Sequence, residues 1–283
     1  MTLCYFVSDL HGKIDRYKKL FDEIKKKKPK IVFIGGDLLP NELIHNKDYE
    51  DFTKDYLIKN FLRLKKELSN NYPEIFLILG NDDLRNKEIL FINAEKLGLW
   101  KYIHNKKVKY KQYQIYGYSY VPPTPFLLKD WERYDVSRFV DPGCIPPTEG
   151  YISIPESYDK MNYSTIQEDL EKLTNKDDLS CSIFLFHAPP YKTNLDRAAL
   201  DGKTIDYVPM DVHVGSIAIK RFIEEKQPFI TLHGHIHESS RITGYWKQQI
   251  KNTYTFSAAY DKPQLAIIKF DIEKPFLASR YLI

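Results

Sequence analysis

What the chain lacks narrows its class first. It has only three cysteines, Cys4, Cys144 and Cys181, odd in number and far apart. A disulfide framework is therefore not expected, and a reducing, cytoplasmic setting is. No stretch approaches the roughly 20 apolar residues that a membrane span needs. The apolar run Leu3-Cys4-Tyr5-Phe6-Val7 starts at once, without the basic region and cleavage site of a signal peptide. Charge of either sign is not in large excess: +4 over 283 residues neither demands nor excludes nucleic acid. The one dense basic run, Lys25-Lys26-Lys27-Lys28-Pro29-Lys30, falls where a helix should end, and lysines there favour the helix dipole. Internal repeats and low-complexity linkers are missing too. So are the His-Glu-x-x-His of a zinc protease and the His-x-His-x-Asp-His of a metallo-β-lactamase-type site.

What is present is a run of short apolar strands alternating with helical patterns. Strands are expected at 3–8, 30–34, 75–79, 181–186 and 229–232. Helical spacing recurs after 14, over 48–69, over 86–97, around 164–174 and after 217. Such alternation predicts βαβ units and a largely buried sheet. Residues 102–120 alternate as tyrosine-rich strands, and 121–163 carry seven prolines and many aromatics as an insertion. A long polar connection then reaches Gly215, and the tail from 241 to 282 alternates like antiparallel strands. Apart from the insertion no domain boundary is visible, so 1–283 reads as one domain.

Each of the five apolar strands ends in a residue type that binds metals: Asp9 with His11, Asp37, Asn81, His187, and His235 with His237. Side chains at the carboxyl ends of neighbouring strands in an α/β sheet converge on one crevice. Glycine directly precedes Asp37, Asn81 and His235, which suits sharp turns and close backbone approach. Any one of these residues alone would be unremarkable as a turn or cap; five strand ends together are not. Four imidazoles, two carboxylates and one amide oxygen, with no thiolate, suit manganese, iron, zinc or cobalt rather than calcium. They are enough for two ions if one carboxylate bridges. Two ions ~3.5–4 Å apart serve in-line displacement at phosphorus. Two aspartates and a hydroxide leave such a pair with net positive charge, able to hold a phosphoryl group.

The order Asp9-x-His11, Gly36-Asp37, Gly80-Asn81, His187, Gly234-His235-x-His237 resembles the calcineurin-like metallophosphoesterase superfamily. The resemblance spans residues 9 to 237 and implies a four-layered α/β/β/α sandwich of two mixed sheets flanked by helices. It also implies two divalent ions. One would be held by Asp9, His11, Asp37 and His237, the other by Asp37, Asn81, His187 and His235. A hydroxide shared by the ions, with Asp37 bridging them, would attack phosphorus in line.

One position departs from the pattern. Many members carry a histidine after the Gly-Asn pair, contacting the phosphoryl group and protonating the leaving oxygen. Here Asp82 stands there, followed by Asp83. An aspartate beside two cations has its pKa lowered and is a poor general acid at neutral pH. A phosphodiester with a good leaving group is therefore the expected substrate, with Asp37, Asp82, Asp83 and His213 as catalytic candidates. Asn81, Asp82, Arg85 and His213 are the candidate substrate contacts. His233 is expected behind the ligands or facing solvent, and His45 and His104 at the surface. Substrate choice is assigned to 121–163 and 188–214, with Lys192, Arg197 and Lys203 as candidate anion contacts. The insertion is expected to be a cap or an oligomer contact. The alternatives are a nuclease of the same superfamily, unsupported by any basic stripe, and a non-catalytic metal-binding scaffold. The expected partner is a small phosphorylated molecule, with a homo-oligomer possible and no membrane.

Overall fold

The computed structural model describes residues 2–40 and 49–283; His45 lies outside them. The strands are β1 (Leu3–Val7), β2 (Ile31–Gly35), β3 (Glu74–Ile78), β4 (Lys101–Tyr102), β5 (Lys106–Tyr110), β6 (Tyr113–Tyr118), β7 (Ser182–Phe186), β8 (Thr204–Ile205), β9 (Val208–Pro209), β10 (Ile230–His233), β11 (Lys247–Ile250), β12 (Thr253–Ser257), β13 (Ala266–Asp271) and β14 (Lys274–Leu282). The helices are α1 (Ile14–Lys27), α2 (Lys59–Leu68), α3 (Glu88–Lys96), α4 (Tyr158–Tyr163), α5 (Ile166–Thr174), α6 (Ile217–Lys226) and α7 (Ser239–Thr243). Among the described residues, two six-stranded sheets run β14-β13-β1-β2-β3-β4 and β11-β12-β10-β7-β6-β5, and β8 and β9 form a small hairpin.

The period-2 geometry of a strand explains the layering. Cys4 and Phe6 of β1, Ile31 and Phe33 of β2, and Phe76 and Ile78 of β3 join Ile183, Leu185, Ile230 and Leu232 in one buried cluster between the sheets. Their alternates, Tyr5, Val7, Val32, Ile34, Ile75 and Leu77, share a cluster with Tyr17, Leu20 and Ile24 of α1 and Phe61 and Leu64 of α2. Tyr116, Tyr118, Phe184 and Phe186 on the other sheet lie in that same cluster with Ile166 and Leu170 of α5 and Ile219 and Phe222 of α6. Strands buried on both faces read as unbroken apolar runs. The result is a helix–sheet–sheet–helix sandwich.

Two expectations need correction. The ligand-bearing strands do not share one sheet. β1, β2 and β3 are parallel neighbours in the first sheet, and β7 and β10 are parallel neighbours in the second. The tail is also divided: β11 and β12 join the second sheet, β13 and β14 the first. Within it β12 runs parallel to β10 rather than antiparallel to its neighbours on both sides.

The 121–163 insertion is irregular apart from α4, yet it is bound to the body of the fold. Trp131 is fully buried and its indole N–H donates to Asp83 O at 2.7 Å. Asp135 accepts from Ser216 Oγ at 2.5 Å and Ile217 N at 2.6 Å, capping α6. Lys129 and Glu132 form an ion pair of 2.6 Å with both side chains out of contact with solvent. No described helix is long and apolar enough to cross a membrane.

Candidate metal centre

The turns that leave β1 and β2 are tied together, which sets the first ligands. Asp9 N donates to Gly36 O, His11 N to Asp37 O and Gly12 N to Leu38 O, all at 2.8–3.0 Å. Asp9, His11, Asp37 and His235 all adopt left-handed backbone, with φ of 57°, 47°, 53° and 74°. Non-glycine residues there cost on the order of 1–3 kcal/mol each and persist only where surroundings over-determine them. Here four such residues gather in one place.

The glycines before the ligands make that gathering possible. A Cβ on Gly80 would lie 2.2 Å from Asp37 Oδ1, and one on Gly234 2.1 Å from Ser8 Oγ. His235 N donates to Asp9 Oδ1 at 2.9 Å and so ties the second sheet to the first across the crevice, while Asp82 N donates to Asp37 Oδ1 at 2.9 Å and ties the turns after β3 and β2 of the first sheet.

Two ligand groups result, sharing Asp37. In the first, Asp9, His11, Asp37 and His237 bring their donor atoms within 4.8 Å of one another. His11 Nε2 and His237 Nε2 are 3.0 Å apart, and Asp9 Oδ1 lies 3.2 Å from His237 Nε2. In the second, Asp37, His187 and His235 meet the same limit. His187 Nε2 is 3.3 Å from Asp37 Oδ2 and 3.0 Å from Asn81 Oδ1.

The hydrogen bonds test whether these residues suit a cation. His187 Nδ1 lies 2.8 Å from Gly35 O, which only accepts, so Nδ1 carries the hydrogen. Asn81 Nδ2 donates to Asp82 Oδ1 at 3.1 Å, which fixes Oδ1 toward His187. A neutral His187 would thus aim a lone pair at two oxygen acceptors, an arrangement that calls for a positive species between them. In the protein alone a proton serves. Burial opposes charge on His187, but the Asp37 carboxylate outweighs it and raises the ring to about 10. Asp37 itself is held well below the usual carboxylate range: burial works the other way, and His187 prevails. Asp9 is lowered to about 2 against burial by its bond to His237. His235 goes down to about 3 through burial and the neighbouring His187. The donor set therefore fits divalent cations in place of the proton.

The remaining candidates are dispersed. Asp82 sits at the rim with Oδ2 3.4 Å from His11 Nδ1. The protein's own charges, Asp37 first and then burial, raise it to about 7. The lowering expected from the sequence would come from bound cations alone. Asp83 is fully buried, and its carboxylate accepts from Leu38 N, Leu39 N and Gly80 N at 2.7–3.1 Å. It braces the two loops rather than facing the cluster. Arg85, expected at the substrate, is engaged by Glu156 at 3.4 Å and Glu88 at 3.9 Å and lies over Trp131. His213 belongs to neither ligand group; its Nδ1 is 2.8 Å from buried Asp196. Arg197, a candidate anion contact, donates to Ala198 O and pairs with Asp201.

His233 is buried, bonded at 2.8 Å to both Ala188 O and Thr231 Oγ1, and burial lowers it to about 4. His104 is half-buried rather than exposed. Its ring packs against Trp131 and Tyr120, Nδ1 accepts from Ser119 N, and burial pushes it down to about 3.

Sequence reasoning passed over two supports. Ser8 Oγ donates to Asp9 Oδ2. Arg16 is buried and its guanidinium donates to the carbonyls of Asp9, Tyr260 and Lys262. A signal for Arg16 existed: it stands in the apolar stripe with Leu20 and Ile24 at helical spacing.

The calcineurin-like phosphoesterase family model matches residues 4–239. The chain belongs to the calcineurin-like phosphoesterase family. Solved structures agree in fold. One superposes with a TM-score of 0.61 at 16% identity, over 99% of this chain and 98% of its own. TT1561 of Thermus thermophilus superposes at 0.55 with 12% identity, over 99% and 98%. No curated protein matches the sequence. In this calcineurin-like phosphoesterase, Asp9, His11, Asp37, His187, His235 and His237 form two groups that could hold a metal ion, and Asn81 Oδ1 lies against His187.

Proposed function

We propose that the protein is a hydrolase of phosphodiesters that works with two divalent metal ions, manganese, iron, zinc or cobalt. The observation that carries this is the pair of ligand groups joined through Asp37. Asp9, His11, Asp37 and His237 would hold one ion, and Asp37, Asn81, His187 and His235 the other. Ions so held supply Lewis-acid stabilisation of phosphoryl oxygens and a water of lowered pKa.

The chain's own residues do the rest. Gly35 O keeps the His187 tautomer that turns Nε2 inward, and Ser8 and His235 N hold the Asp9 carboxylate in place. Asp82 takes the rim position where a proton donor would serve the leaving oxygen. As a carboxylate beside cations it would be ionised, so alcohols that leave without protonation are favoured. Hence the diester with a good leaving group. The setting is a reducing cytoplasm and the substrate a small phosphorylated molecule. The exposed Phe126, Leu127 and Phe139 of the insertion supply apolar surface that a homo-oligomer would use.

The test is turnover of bis(p-nitrophenyl) phosphate against glycerol phosphate by protein reconstituted with each metal in turn. Fast diester and slow monoester hydrolysis is expected, with the gap narrowed by Asp82→His. Equal wild-type rates on both would refute the diester preference, and no turnover with any metal would refute the hydrolase.

A further inference from the structure

Arg16 is a buried cation, 3% exposed, and among the described residues no carboxylate pairs with it. A charge taken out of water without a counter-charge is costly, so its hydrogen bonds must offset that cost. All of them go to main-chain carbonyls, in two places. Nη1 donates to Asp9 O, and Nη2 donates to Lys262 O at 2.6 Å and Tyr260 O at 3.2 Å.

The first of these places is a ligand turn. Asp9 N is already bonded to Gly36 O, so both main-chain groups of Asp9 are held, at its left-handed φ of 57°. The second is the loop of residues 258–265 between β12 and β13, which starts against the other sheet: Ala258 N donates to His233 O at 3.1 Å. Asp261 stands between the two loop carbonyls that Arg16 grips. Its Oδ2 accepts from Arg241 Nε at 2.6 Å, and Arg241 lies on α7, four residues after His237.

One guanidinium thus connects the Asp9 turn of the first sheet with the segment that follows His237 in the second. Asp9 and His237 belong to the same ligand group. Arg16 makes no hydrogen bond to Asn81, His187 or His235. We infer that Arg16 is the positioning residue of the first cation site alone, fixing Asp9 from behind and, through Asp261 and Arg241, the chain around His237. The inference rests on the two-ion reading of the centre. Losing a partner that orients a ligand costs roughly 10–100-fold in metal affinity. Lysine keeps the charge of Arg16 but not the planar fork that reaches both places.

Calorimetric titration of metal-free protein with Mn²⁺, wild type against Arg16→Lys, is the test. One ion should bind at least tenfold more weakly in R16K and the other within twofold of wild type. Anomalous diffraction at limiting Mn²⁺ should show the loss beside His11 and His237. Equal weakening of both ions, weakening of neither, or loss beside His187 overturns the inference. Should R16K not fold, Asp261→Asn, which keeps every Arg16 bond, carries the test: the same ion should weaken at least threefold, and unchanged affinity overturns it. If wild type binds no Mn²⁺, the two-ion reading fails on its own and amide exchange decides. R16K should then speed exchange at least tenfold in 9–12 and 258–262 and leave 79–83 unchanged; a uniform change, or none, overturns the inference.

Discussion

The crevice and the loops beside it are built in opposite ways. At the crevice, side chains are placed by backbone: strand ends, left-handed turns, and glycines where a Cβ would collide. In 121–163 and 188–214, backbone is placed by side chains. Asp135 caps α6, Asp196 accepts from Lys192 N and Thr193 N, and Trp131 anchors the insertion to Asp83 O. The first arrangement fixes positions and tolerates little change. The second fixes a loop through a few bonds and can be refitted to another substrate without touching the chemistry.

The sharpest break of that contrast is at Asp37. Asp37→Asn removes the carboxylate common to both ligand groups, and activity should fall on the order of 10³-fold, with bound metal lost in elemental analysis. Retained metal and activity would mean the crevice is not organised around this residue.

Asp83→Ala leaves three buried N–H groups without acceptors and should cost about 3 kcal/mol in urea unfolding. A loss below ~1 kcal/mol would show the loops hold themselves.

Acid should loosen the join between the two regions. His104, packed against Trp131, is held neutral in the fold at about 3, whereas the unfolded chain takes up a proton near 6.5. The unfolded state therefore binds more protons between those values, and stability falls as pH drops through them. The contribution is about 2 kcal/mol between pH 7 and pH 5. His104→Gln, which keeps an acceptor for Ser119 N, should flatten that part of the stability profile; an unaltered slope would contradict the assignment.

The smallest effect belongs to the loops. His213→Ala should leave kcat on p-nitrophenyl esters within roughly threefold, because that leaving group needs no proton. A loss of 100-fold would move His213 into the chemistry.

The ligands were legible because each closes a strand buried on both faces, where the apolar run ends abruptly in a polar residue. Their division between two sheets was not, since a strand's own sequence does not say which sheet receives it. β12 returns to lie parallel to β10 through contacts no local pattern encodes. His104 looked like a surface residue because its partners, Tyr120 and Trp131, lie 16 and 27 positions away, the latter inside the insertion. Asp83 was legible as an acidic position but not as a brace, because its partners are main-chain N–H groups of another loop.

The central claim is that Asp37 lies between two cation sites, each of which takes residues from both sheets. Anomalous diffraction from crystals of the manganese-loaded protein tests this most directly. Two peaks, one beside His11 and His237 and the other beside His187 and His235, with Asp37 between them, are predicted. A single peak, or peaks away from Asp37, would contradict it.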